Sequence, residues 1–306
     1  MAPVPIIWHP AYEVDIGPHV FPTVKYRLAR ARLLDDGTVT ESDFLHPEPA
    51  LDEDVGLVHT AEYLRKINAG ALSFYEELAL EVPFSPELRE AMWLCAGGSI
   101  LTGRRALEGG VAMHLGGGFH HAFPDHGEGF CLINDVAIAI RVLKRDAVIQ
   151  KAVVIDCDVH HGNGTAAIFA HEPEVFTFSM HQERNYPAWK PRSDLDIGLD
   201  NGTPDAEYLS ALGHHLSRIL AQHRPDLAFY LAGADPYEQD QLGGLGLTLG
   251  GLRRRDELVM ELLTQARVPA AVTLAGGYAY NQDDTLEIHC NTVRVAVAAG
   301  RRRAAT

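Results

Sequence analysis

No stretch of this sequence approaches the roughly 18 consecutive apolar residues that a bilayer-spanning helix needs, so a transmembrane protein is not expected. The first ten residues, MAPVPIIWHP, lack a basic segment followed by an apolar run, which argues against a secretory signal. Cysteine is scarce. Cys95, Cys131, Cys157 and Cys290 are scattered, with no C-x-x-C pair. That excludes a disulfide-built fold and predicts a reduced, cytoplasmic protein. Basic residues are in deficit: 26 lysines and arginines face 41 acidic residues, a formal charge of −15. Nucleic-acid binding needs a basic face, and so does docking on anionic lipid. Neither partner is expected, whereas a cationic substrate suits the charge. No low-complexity tract, repeat or linker divides the chain.

What is present suits a globular enzyme. Of 306 residues, 46% are hydrophobic, enough for a sizeable core. The expected organisation is one domain over 1–300, with 301–306, opening on three arginines, as a disordered tail. Short apolar runs predict strands at 5–8, 111–115, 152–156, 175–180, 227–232 and 270–274. Helical spacing falls between them at 86–107, 134–145, 205–222, 252–266 and 281–298. This alternation predicts an α/β fold, a mostly parallel sheet with helices on both faces. Ligands of such sheets bind beyond the carboxyl ends of the strands.

Those ends are rich in chemistry. Histidine is the commonest metal ligand and the usual acid or base at neutral pH, and the chain has 16. Gly116-Gly117-Gly118-Phe119-His120-His121 follows one strand. His214-His215 is a similar pair, but it sits mid-helix without acids or glycines and reads as surface. Another strand runs into Asp156-Cys157-Asp158-Val159-His160-His161-Gly162-Asn163-Gly164. On an extended strand end, Asp156, Asp158 and His160 share one face. Carboxylates that close demand a cation or a proton. A divalent metal is the simplest answer, with Asp235 of Gly233-Ala234-Asp235 as a third ligand and an open position for catalysis. Cys157 should point to the opposite face. Ala275-Gly276-Gly277-Tyr278 turns after the last strand and would deliver a phenol hydroxyl.

Together these blocks resemble the histone deacetylase family of zinc-dependent lysine deacylases, which also includes acetoin-utilisation and acetylpolyamine amidohydrolase proteins. The blocks are GGGFHHAFPDHGEGFCLIND, VVIDCDVHHGNG, FSMH, LAGADPYEQDQLGG and AGGY, in family order over almost the whole chain. Their form looks most like the class IV branch. The resemblance implies an arginase/deacetylase-like fold. It implies zinc on Asp158, His160 and Asp235, with ferrous iron the alternative in the cell. It implies catalytic roles for His120, braced by Asp156, for His121, braced by Asn163, and for Tyr278. It places Gly129, Phe130, Tyr186 and Leu242 on the substrate tunnel. It adds a structural potassium held by Asp156, Asp158, Ser179 and the backbone of His160 and Met180. The implied reaction removes an acyl group from a lysine side-chain amine of a protein or peptide. The alternatives are acylated polyamine hydrolysis, a two-manganese ureohydrolase, and a non-catalytic binding module.

Overall fold

Strand β4 (Ala152–Asp156) lies at the heart of the protein, and every one of its residues is buried. In the computed structural model, which describes residues 4–303, β4 pairs in parallel with β5 (Val175–Gln182) on one side. On the other side it pairs with β7 (Leu227–Leu231). Outward from β7 come β8 (Ala270–Thr273), β3 (Val111–His114), β1 (Ile6–Ile7) and β2 (Phe44–Leu45). Beyond β5 lies β6 (Leu195–Leu199). The eight strands form one sheet in the order β2-β1-β3-β8-β7-β4-β5-β6, all parallel.

Side-chain alternation divides the sheet into two faces. Val153, Ile155, Ala228 and Tyr230 belong to one core, Val154, Leu227, Phe229 and Leu231 to the other. Burial on both faces explains why the strands read as nearly unbroken apolar runs. The helices include α5 (Pro86–Gly109), α6 (Asp135–Arg145), α8 (Asp205–His223), α9 (Leu249–Gln265) and α10 (Gln282–Arg303). Helix α5 packs on α6, and α9 packs on both α8 and α10. The starts of α5 and α6 are capped: Ser85 accepts from the Leu88 amide, and Asn134 from the Ala137 amide.

The expected strands and long helices are all found, with ends shifted by up to a few residues. The remaining elements are short: α1 (Lys25–Asp35), α2 (Asp52–Val55), α3 (Ala61–Asn68), α4 (Phe74–Leu80) and α7 (Asn163–Phe169). His214 and His215 lie on α8, where His214 is exposed.

The tail needs correction. Helix α10 continues through Arg303, so residues 301–303 are ordered helix. The Arg303 guanidinium donates to the Gly110 and Val268 carbonyls at 2.8 and 2.7 Å. These bonds clamp the last turn against the entrance of β3 and the approach to β8. Residues 304–306 lie outside the described residues.

Candidate active site

Strand β4 stops at Asp156, and the next residues curl rather than extend. The Asp158 amide donates to Asp156 Oδ1 at 3.1 Å, and the His160 amide donates to Asp158 Oδ1 at 2.9 Å. Each carboxylate thus accepts from the residue two ahead, which holds 156, 158 and 160 on one side of the loop. Cys157 points away. It lies in the core, where burial pushes its thiol up to about 12.

Strand β7 delivers Asp235 to the same place. Its Oδ1 accepts from the Val159 amide at 2.9 Å. One donor atom each from Asp158, His160 and Asp235 lie within 4.8 Å of one another, and all three residues are buried. His160 Nδ1 is 3.1 Å from Asp158 Oδ1 and 3.4 Å from Asp235 Oδ2. Burial pushes the Asp235 carboxyl up, and the neighbouring Asp158 carboxylate adds to it, to about 7. Burial opposes charge on His160, but the Asp158 and Asp235 carboxylates beside it outweigh this and lift the imidazole to about 10. Asp235 Oδ2 is buried and accepts no hydrogen bond among the described residues. Two buried carboxylates, an imidazole and an orphaned oxygen fit a divalent metal.

The space between Asp158 and Asp235 has no room for added bulk on its far side. A Cβ on Gly276 would stand 2.1 Å from Asp235 Oδ2 and 2.6 Å from Asp158 Oδ2. The Gly276 amide instead donates to Asp158 Oδ2 at 2.9 Å. Arg255 of α9 supports both ligand loops from beneath. Fully buried, it donates to the Gly233 and Cys157 carbonyls at 2.6 and 3.2 Å and pairs with Asp256.

His120 and His121 follow the glycine loop after β3. Asp135 secures that loop, accepting from the Gly118 and Phe119 amides at 3.1 and 2.8 Å. His120 Nδ1 meets Asp156 Oδ2 at 2.7 Å, and His121 Nδ1 meets Asn163 Oδ1 at 2.7 Å. Burial disfavours charge on His120, but Asp156 and Asp158 outweigh it and raise the ring to about 9. His121 moves the other way. Burial lowers it well below its usual value, and the cations at His120 and His160 lower it further.

These groups open onto a cavity of about 280 Å³. Its lining includes His121, His160 and Tyr278 at the base, with Gly129, Phe130, Tyr186 and Leu242 around it. Phe130 stacks on Phe21 and meets Tyr278 edge-on. Gly129 takes φ of +52°, and a Cβ there would stand 2.7 Å from the His121 ring. Burial, then Asp158 and Asp235, hold the Tyr278 hydroxyl protonated. Asp240 fixes this tyrosine by accepting from its amide at 2.7 Å. Ser179 lies across from Asp156 in the β4–β5 register, and its hydroxyl meets His181 Nδ1 at 2.9 Å. Met180 is buried beside it.

Several contributors carry no obvious sequence signal. Lys25 is fully buried, donates to the Ala275 carbonyl at 2.9 Å and lies over the Tyr278 ring. Glu128 accepts from Asn163 and from the Tyr186 hydroxyl. A second set, His161, His181 and Asp196, also has donor atoms within 4.8 Å. Its carboxylate already accepts from His161 Nε2 at 3.0 Å and the Ser193 amide at 2.9 Å.

The histone deacetylase domain matches residues 19–293. An uncharacterised protein of Picosynechococcus sp. is 42% identical over 293 residues, covering 95% of this chain and 98% of that one. Histone deacetylase 2 of Arabidopsis thaliana is 28% identical over 291 residues, covering 91% of this chain and 75% of that one. A solved HDAC homologue complexed with SAHA shares the fold, with a TM-score of 0.80 at 23% identity over 95% of this chain and 84% of that one. The domain match runs from the approach to α1 into α10, taking in His120, His121, the three clustered candidate ligands and Tyr278, and by it the chain belongs to the histone deacetylase family.

Proposed function

We propose that this protein is a zinc-dependent amidohydrolase that removes acyl groups from lysine side-chain amines of proteins or peptides, and that it stands nearest the class IV branch. The observation that carries this reading is the cavity. Its walls are partly aromatic, and its lining includes a neutral imidazole, His121, a phenol, Tyr278, and His160, one of the three clustered candidate ligands. An acylated alkylamine matches that shape and polarity.

Asp158, His160 and Asp235 would hold the metal, which when bound supplies Lewis acidity toward the amide carbonyl and the attacking water. His121 Nε2, kept neutral by burial and by the charge on His120, takes the proton of that water. His120, charged against Asp156, stabilises negative charge as it develops. Tyr278 donates its hydroxyl to the carbonyl oxygen as that oxygen becomes anionic. The proton held on His121 then passes to the leaving amine. Phe130 and Tyr186 flank the acyl-lysine chain and exclude water, with Gly129 and Leu242 beside them. Ferrous iron is the alternative metal in the cell. The potassium assignment rests on the resemblance, with Asp156 and Ser179 as register partners.

Acylated polyamines are the second reading, and Glu81 favours it. This exposed carboxylate lines the cavity and would attract a second amine of the substrate. A panel of acetyl- to myristoyl-lysine peptides and acetylated polyamines, assayed with and without chelator, tests both readings. Chelator-sensitive conversion of acyl-lysine peptides to the deacylated peptide and a carboxylate supports the first. Turnover confined to polyamines supports the second, and no turnover of any member rejects both. No helix among the described residues is long and apolar enough to cross a membrane. The proposed site of action is the cytoplasm.

A further inference from the structure

We infer that Glu128 is a positioning residue: it fixes the tautomer of His121 by locking the side-chain amide of Asn163. The catalytic consequence rests on His121 being the base of the proposed reaction, whereas the tautomer rests on hydrogen-bond geometry alone.

Asn163 has a weakness in this role. Its amide presents oxygen on one side and NH2 on the other, and the two ends have nearly the same shape. Turned one way, the oxygen accepts a proton from His121 Nδ1. Turned the other way, the NH2 donates to Nδ1, and the ring proton must then sit on Nε2. An aspartate could only accept, so it would need no such lock. Asparagine needs a partner of fixed polarity on its far side.

Glu128 is that partner. Its Oε1 lies 2.5 Å from Asn163 Nδ2 and 2.9 Å from the Tyr186 hydroxyl. Its Oε2 is 3.5 Å from His126 Nε2. Burial works against its charge, but hydrogen bonds from His126, Asn163 and Tyr186 outweigh this and keep its carboxyl below the usual range. An ionised carboxylate only accepts. The NH2 of Asn163 must therefore face Glu128, and its oxygen must face His121. The His121 ring proton is then on Nδ1, and Nε2 is bare.

The neighbouring ring closes the proton inventory. His120 Nδ1 faces the Asp156 carboxylate at 2.7 Å, so it carries a proton. His120 Nε2 faces the bare Nε2 of His121 at 3.1 Å, so it carries one too. His120 is thus an imidazolium. His121 is a neutral ring whose single Nε2 lone pair accepts from His120 at rest and is exchanged for the water proton in the proposed reaction. Reversing Asn163 would set two N–H groups against each other across that 3.1 Å. One carboxylate beyond the pair therefore orders three side chains.

The test uses the full-length protein with ring-15N histidine. His121 is identified by the signals lost in His121→Asn. Two-bond 1H–15N spectra read which nitrogen bears the proton. The wild type is expected to show protonated Nδ1 and bare Nε2. Glu128→Leu is expected to move the proton to Nε2 in part or wholly, with kcat lowered about tenfold or more. Tyr186→Phe removes the other bond to Glu128 and is expected to leave the Nδ1 proton in place. Adding Asn163→Asp to Glu128→Leu restores an acceptor-only partner, and both the Nδ1 proton and kcat are expected to recover. A merely structural Glu128 would not be rescued this way. An unchanged Nδ1 proton in Glu128→Leu overturns the inference, as does failure of the double variant to restore it. If the tautomer follows the prediction but no acyl substrate is turned over, the positioning role stands and the deacylase reading fails.

Discussion

The Nε2 atoms of His120 and His121 lie 3.1 Å apart, yet the two rings are driven toward opposite protonation states. The difference lies in what each Nδ1 faces. His120 faces the Asp156 carboxylate, while His121 faces the Asn163 amide oxygen. A carboxylate stabilises a cation far better than a neutral amide does. Adjacent residues of one type thereby become a proton-rich and a proton-poor member of one pair.

This arrangement sets the pH profile. His121 is lowered well below 6.5, so the base form persists as pH falls through 6.5. His120 stands at about 9, so its charge is present below that pH and lost above it. The kcat/KM of acyl-lysine hydrolysis should stay level through pH 6.5 and fall as pH rises through about 9. A drop centred at 6.5 would place the base elsewhere.

Removing either proton-handling group should be severe. His121→Ala and Tyr278→Phe should each lower turnover about 10²–10⁴-fold. Circular dichroism should show the fold retained. Near-full activity in either variant would refute its assigned role.

The metal-ligand trio predicts behaviour that needs no assay. Asp235→Asn replaces a buried carboxylate oxygen that accepts no hydrogen bond among the described residues. Gly276→Ala would push a methyl between Asp158 and Asp235. Both variants should retain much less zinc than the wild type after dialysis, as read by elemental analysis. Equal retention would remove these residues from the ligand set.

Arg255 carries a stability prediction. Asp256 is buried beside it and also accepts from the hydroxyls of Tyr230 and Thr292 at 2.5 and 2.6 Å. Arg255→Met would leave that carboxylate without its cation and leave the Gly233 and Cys157 carbonyls without a donor. The loss should be about 3–5 kcal/mol in urea unfolding. A loss under about 1 kcal/mol would show that water or relaxation compensates.

Much of this architecture was legible before any coordinates. Buried parallel strands announce themselves as apolar runs, and D-x-D-x-H at a strand end announces a cation. What escaped has physical reasons. Strand β6 reads Leu-Asp-Ile-Gly-Leu, and its half-exposed edge position lets Asp196 and Gly198 interrupt the pattern. Helices α2 and α4 are too short for a period to show. Lys25 looks like an ordinary surface cation in sequence, and only tertiary packing brings it under Tyr278. Glu128 lay inside a recognised block without a role, because its meaning depends on Asn163, 35 residues away. The arginine tail misled because polar composition was taken for fraying. Arg303 instead spends its charge on two backbone carbonyls.

The strand order has a consequence for synthesis. As the chain leaves the ribosome, β4 and β5 emerge close together and can pair at once. The other edge of β4 belongs to β7, which appears only with residues 227–231. Until then a strand apolar but for its last residue, Asp156, carries an unsatisfied ladder of amides and carbonyls, a template for wrong partners. Asp158 and His160 meet Asp235 by that same late pairing. A nascent chain stalled before β7 is therefore sticky and lacks one of its three clustered ligands, so the interval between β5 and β7 is where a chaperone would matter most.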